Sequence, residues 1–68
     1  MKLLRVVIVE DVVTTGASTL KTIKAVENER GKIIKVIALV DREEGGSENL
    51  KKEGYEFESL FRKSEILQ

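Results

Sequence analysis

Apolar residues gather in two dense runs, and a third segment alternates. Leu3 to Val9 is leucine, valine and isoleucine broken only by Arg5, the pattern of a strand buried on both faces. Ile33 to Val40 repeats that pattern and predicts a second buried strand, closed by Asp41. Between them, Ser18 to Arg30 carries Leu20, Ile23 and Val26 at three-residue spacing, which predicts a helix stopping before Gly31. Arg42 to Gly46 reads as a charged, glycine-ended loop, and Ser47 to Glu53 as a short helix capped by Ser47 and stopped at Gly54. Tyr55 to Leu60 alternates aromatic or apolar residues with acids, as a less buried third strand does. Ser64 is placed to cap a final turn ending near Leu67. There is no proline, repeat, linker or low-complexity segment.

Strand, helix, strand, helix, strand is the order of an open parallel α/β sheet. If the strands are laid down in one direction, right-handed crossovers put both helices on the same side and leave the other face bare. Strict alternation sets Leu4, Val6 and Ile8 against Leu3, Val7 and Val9. In the second strand it sets Ile34, Val36, Ala38 and Val40 against Ile33, Ile37 and Leu39. Leaving about six such side chains wet forfeits on the order of 10 kcal/mol, comparable with the whole stability of a small domain. The pattern therefore predicts that self-association, a partner chain or a further part of the domain covers this face.

Composition narrows the setting. At 68 residues the chain is one small domain or part of one, at the size where a single core is marginal. It has no cysteine and no histidine, which excludes disulfides and makes a structural zinc site a poor reading. Twelve basic residues balance twelve acids, so no global field recruits nucleic acid or an acidic membrane, and anion binding must be local. The Leu3 to Val9 run is too short to span a bilayer and is not followed by a small-residue cleavage site. The expectation is a soluble, untargeted chain in a cytoplasmic setting.

Candidate chemistry concentrates in Val6 to Ser18, where an apolar strand leads into Glu10 and Asp11 and then into Thr14-Thr15-Gly16-Ala17-Ser18. Ligands of parallel α/β sheets bind outside the carboxyl ends of the strands, where these acids are expected. Adjacent carboxylates on extended backbone diverge, so one can accept from vicinal hydroxyls while the other faces a further hydroxyl or metal-bound water. The hydroxyl-rich turn adds backbone N–H groups at a helix N-terminus, where a phosphate dianion is favoured. Separately, each half has an ordinary reading: Asp11 beginning a turn beside a solvated Glu10, and threonine or serine capping a helix. Their combination points to a sugar phosphate. No glycine-lysine pair makes this a Walker loop, and it lacks Gly-x-Gly-x-x-Gly spacing.

Val6 to Ser18 resembles the phosphoribosyl pyrophosphate (PRPP) signature of type I phosphoribosyltransferases: apolar strand, two acids, two apolar residues, Thr-Thr-Gly, a small residue and serine. Val40-Asp41-Arg42-Glu43-Glu44-Gly45-Gly46 is similar to the strand-end loop of orotate phosphoribosyltransferases, and the likeness continues through Ser59, Leu60 and the Ser64 to Leu67 tail. A purine-using relative is not expected to carry that loop. The resemblance implies that Glu10 and Asp11 hold the ribose hydroxyls of PRPP and steady its Mg2+ without ligating it directly. It implies that Thr15, Gly16, Ala17 and Ser18 bind the 5′-phosphate, with Thr14 beside them. Thr14 and Arg42 would meet the orotate carboxylate, which a guanidinium grips with paired hydrogen bonds. Asp11 is the catalytic candidate, since a carboxylate there can stabilise an oxocarbenium-like sugar as pyrophosphate leaves.

The resemblance implies a single partial phosphoribosyltransferase domain over residues 1–68, the C-terminal portion of the family fold. The first strands, the hood over the base and the mobile lysine- and arginine-bearing loop would precede Met1. Lysines such as Lys21, Lys24, Lys51 and Lys63 read as solvated positions and match none of that loop. Two functions from different classes follow. One is the PRPP-binding portion of an orotate phosphoribosyltransferase, inactive until another chain supplies the missing half. The other is a non-catalytic phosphate-binding or structural module that self-associates through its bare sheet face.

Overall fold

The computed structural model describes residues 3–66 of the chain. Its elements are β1 (Leu4–Val13), α1 (Ala17–Asn28), β2 (Gly31–Asp41), α2 (Gly46–Lys52), β3 (Phe57–Arg62) and α3 (Lys63–Ile66). The strands form one parallel sheet in the order β1-β2-β3, so β1 and β3 are its edges. Both long connections return to the same face: Ile23 of α1 and Leu50 of α2 are fully buried in one cluster with Ile8, Val13, Val36 and Ala38. Val6, Leu20, Ile33, Tyr55 and Phe57 pack around that cluster.

The other face is uncovered. Ile8 is 7% exposed while its neighbour Val9 is 74% exposed, the signature of a strand with a helix layer on one side only. Val7, Leu39 and Leu60 share the open side with Val9, and a Lys35–Glu58 ion pair of 2.9 Å crosses it from β2 to β3. The radius of gyration is 12.3 Å, above the about 11 Å of a compact domain of this length. The molecule is two layers, one sheet and one layer of helices, drawn out along a single long axis.

Several details depart from the sequence pattern: β3 runs over Phe57–Arg62, two residues later than the predicted Tyr55 to Leu60, and four other departures have a clear physical reason. Val6 pairs with Ile33 but Val7 pairs with Lys35, so Ile34 is an extra residue in β2. This bulge shifts the alternation: Ile33 packs on the core with Val36, and Ile34 is turned out to 41% exposure. Secondly, β1 continues through Glu10 and Asp11 to Val13, because β2 continues beside it to Asp41 and the ladder has a partner throughout.

Thirdly, α1 ends at Asn28, and the left-handed residue after it is Arg30 (φ 68°) rather than Gly31. Gly31 opens β2 instead, where an added Cβ would lie 2.3 Å from Val26 Cγ1, so close packing of helix on strand requires glycine. Lastly, α2 starts one residue earlier than Ser47, after Gly45 (φ 97°), and no side-chain cap is formed. Its predicted stop at Gly54 holds. Gly54 adopts φ 92°, its amide donates to Lys51 O (3.0 Å), and Tyr55 N donates to Leu50 O (3.0 Å), together a Schellman motif.

Ser64 does not cap α3. It is the second residue of that helix, and its amide receives a cap from elsewhere, as described below; Leu67 lies outside the described residues.

Candidate functional site

The site is assembled at the carboxyl ends of β1 and β2. Glu10 and Asp11 stand on the last paired stretch of β1, where extended backbone sends neighbouring side chains to opposite faces; Glu10 is half-buried and Asp11 exposed. Beyond Val13 the chain turns through Thr14, Thr15 and Gly16 into α1. Gly16 has φ 86° at the helix N-cap, a conformation that glycine adopts without steric penalty. Its carbonyl accepts the first helical hydrogen bond from Leu20 N at 2.8 Å, and Ala17 N donates to Thr15 Oγ1 at 3.4 Å. Thr14, Thr15, Ala17 and Ser18 are exposed around the buried Gly16. The first-turn amides of α1 have no carbonyl partner within the helix, and these hydroxyls lie beside them in sequence and are exposed.

This turn rests on the start of α2. Gly46 is buried against it, and a Cβ there would lie 2.4 Å from Val13 Cγ1 and 2.5 Å from Thr14 O. Asn49 Nδ2 donates to Thr15 O at 2.8 Å from the next turn of α2. Gly46 and Asn49 were not legible as site residues. Their one trace in the sequence was the Gly45-Gly46 doublet, read there as a loop end.

The loop after β2 is held differently. Arg42 N donates to Val13 O at 2.9 Å, which sets Arg42 beside Thr14, so the two proposed base contacts are neighbours. The Arg42 guanidinium pairs through Nε with Glu44 at 3.3 Å. Asp41, only 5% exposed, accepts from Glu43 N at 2.9 Å, and Glu43 takes a left-handed φ of 60°. The Glu43 carboxylate accepts from Ser64 N at 2.7 Å; that hydrogen bond, aided by Arg62 and Lys63, holds its pKa below the ordinary glutamate value.

Clefts at this end of the sheet are shallow. One of about 400 Å³ is lined by Arg42, Glu43, Lys63 and Ser64, and another of about 350 Å³ by Asp41, Glu43, Gly45, Ser47, Glu48 and Arg62. A groove of about 410 Å³ lies at the amino end of β3, between Lys35, Lys51, Tyr55 and Phe57, far from the acids and the threonine turn. Its size does not make it the site, because in parallel α/β sheets the convergent backbone amides and strand-end side chains lie at the carboxyl end. Among the described residues no group of three or more acids, histidines or cysteines could hold a metal ion. Nor is any helix among them long and apolar enough to cross a membrane.

A parallel sheet bearing an acid pair on one strand and a hydroxyl-rich turn at the following helix defines a class of α/β proteins whose candidate site lies at the carboxyl ends of the strands. Comparison with known proteins narrows the class: the phosphoribosyl transferase domain family matches residues 2–62, and the chain belongs to that family. It is 56% identical over 63 residues to the orotate phosphoribosyltransferase of Aquifex aeolicus, an alignment covering 93% of this chain and 34% of the relative. The crystal structure of orotate phosphoribosyltransferase from Aeropyrum pernix superposes with a TM-score of 0.90 at 37% identity, covering 96% of this chain and 39% of that one. The Mycobacterium tuberculosis orotate phosphoribosyltransferase in complex with PRPP superposes with a TM-score of 0.86 at 35% identity, over 91% of this chain and 38% of that one. The chain thus spans about a third of the length of the curated relatives it matches.

Proposed function

We propose that the chain is the PRPP-binding, C-terminal portion of an orotate phosphoribosyltransferase, which joins orotate to PRPP and releases pyrophosphate in pyrimidine nucleotide biosynthesis, in the cytoplasm. The observation that carries this reading is the junction of β1 and α1, where an acid pair on the strand precedes a left-handed glycine turn with exposed hydroxyls at the helix N-terminus. Glu10 and Asp11 hold the ribose hydroxyls, Thr15 to Ser18 hold the 5′-phosphate, and Thr14 with Arg42 receives the orotate carboxylate. Asp11 is the catalytic residue, opposing positive charge that develops on the ribose as pyrophosphate departs.

Magnesium would arrive with PRPP. Two diverging acids suit its bound waters and the ribose hydroxyls better than direct chelation, which needs more convergent oxygens. When bound, the ion neutralises pyrophosphate charge. The lysine- and arginine-bearing loop and the hood would come from sequence outside these residues, on the same polypeptide or another. That sequence, or a second copy, would also cover Val7, Val9, Leu39 and Leu60 and pair the outer edge of β1.

Calorimetric titration of the folded chain with PRPP in Mg2+ tests the reading. Binding is expected, weakened about tenfold or more by Asp11→Asn, the equivalent of one charge-assisted hydrogen bond at ~1.4 kcal/mol. Orotate consumption is expected only after complementation with a family member's N-terminal half. A folded chain that ignores PRPP would leave the non-catalytic, self-associating module as the better description.

A further inference from the structure

We infer that Glu43 is a positioning residue for Arg42: its carboxylate clamps the loop after β2 to the start of α3 and so presents the guanidinium to a carboxylate-bearing base. The inference rests on the orotate reading of Arg42 given above and adds a residue to it.

Three observations converge. Glu43 is one of two non-glycine residues with positive φ among those described, at 60°, a conformation that costs a side-chain-bearing residue free energy unless its surroundings hold it. Both ends of the residue are held. Its amide donates to the buried Asp41 carboxylate at 2.9 Å, and its own carboxylate accepts from Ser64 N at 2.7 Å, across 21 residues of sequence.

The contact to Ser64 completes a helix cap. Glu65 reaches back to accept from Arg62 N at 2.9 Å, which is half of a capping box, the residue three positions into the helix binding the N-cap amide. The other half needs an oxygen on the N-cap side chain, and Arg62 has none. Glu43 supplies that oxygen from the neighbouring loop. The α3 start and the Arg42 loop therefore order one another.

The clamp also lessens an electrostatic conflict. Arg42, Glu43, Lys63 and Ser64 line one shallow cleft at the carboxyl end of the sheet. Arg42 and Lys63 suit an anionic ligand there, and an uncommitted glutamate would repel it. Engaged with the Ser64 amide and flanked by Arg62 and Lys63, the Glu43 carboxylate is turned to a structural task. Meanwhile Arg42 N is tied to Val13 O, and Nε uses one of the guanidinium's five donors on Glu44.

The test compares the 68-residue chain with Glu43→Ala, Glu43→Gln and Glu43→Gly. It reads amide hydrogen exchange at Arg42 and Ser64, and titrations with Mg2+–PRPP and with orotate. Glu43→Ala is expected to speed exchange at both amides and weaken orotate binding about tenfold, leaving PRPP binding within twofold. Glu43→Gln keeps an acceptor and recovers part of both effects. Glu43→Gly relieves the backbone strain and should still behave like alanine; wild-type behaviour there would overturn the clamp. Wild-type orotate affinity in Glu43→Ala, or binding of PRPP but not orotate by the unaltered chain, would overturn the positioning role. If the unaltered chain binds neither ligand, the reading of the site falls, and the exchange rates alone decide the clamp.

Discussion

Two loops leave the carboxyl ends of neighbouring strands, and they are built on opposite principles. The turn after β1 is held by close packing: buried Gly46 leaves no room beneath Thr14 and Val13, and Leu50 packs fully buried below Gly16. The loop after β2 is held by polar contacts at the surface, among them Glu43 to Ser64, Arg42 to Glu44 and Asp41 to Glu43. In the proposed function the first receives a phosphate, which every substrate pair shares, and the second receives the base, which distinguishes one relative from another. The turn after β1 is part of the fold, and the loop after β2 is an electrostatic attachment to it.

The comparison breaks most sharply at Gly46. Its missing Cβ would meet backbone, which cannot swing aside, so Gly46→Ala is expected to destabilise the chain by roughly 2–4 kcal/mol in urea unfolding and to abolish PRPP binding. Gly54→Ala provides a contrast. Nothing lies within 4 Å of an added Cβ there, so the cost is the left-handed backbone alone, roughly 1–2 kcal/mol, with both ligand affinities unchanged in the folded fraction. Asn49→Ala removes the strut to Thr15 O. About 0.5–1 kcal/mol of stability should go with it, and PRPP affinity should fall further than orotate affinity.

The smallest effect on global stability, and the sharpest on the second loop, is expected from acid. The folded-state pKa of Glu43 is depressed, chiefly by the Ser64 hydrogen bond, so its contribution is present above the ordinary glutamate pKa of 4.5 and is lost as pH falls through the lower folded value. Arg62 and Lys63 are the cations beside this carboxylate, and Asp41 and Glu44 are the other acids of the loop. The protection factor of the Ser64 amide should therefore fall as the pH drops below the ordinary glutamate range and through the lower folded value, before that of Leu20, whose bond to Gly16 involves no titrating group. Simultaneous loss of both amides would mean that the two loops are one cooperative unit.

Much of this was legible in the order of residues. Two apolar runs and one alternating segment determined three strands, the spacing of Leu20, Ile23 and Val26 determined the long helix, and Gly54 determined where the second helix stops, because these are local consequences of side-chain periodicity and backbone freedom. The acids and the Thr-Thr-Gly turn were also readable as a candidate site, since the pattern is carried by contiguous residues. Tertiary structure alone decided the rest. Whether Ile33 or Ile34 faces the core depended on a bulge set by pairing with β1. That Gly46 supports a turn thirty residues earlier depended on how closely α2 approaches it. That Glu43 caps a helix begun twenty residues later depended on two loops meeting at one edge of the sheet. Local pattern determines which elements form, because it acts through neighbouring dihedrals and side-chain period; which residues from different elements come into contact is decided only when the elements pack.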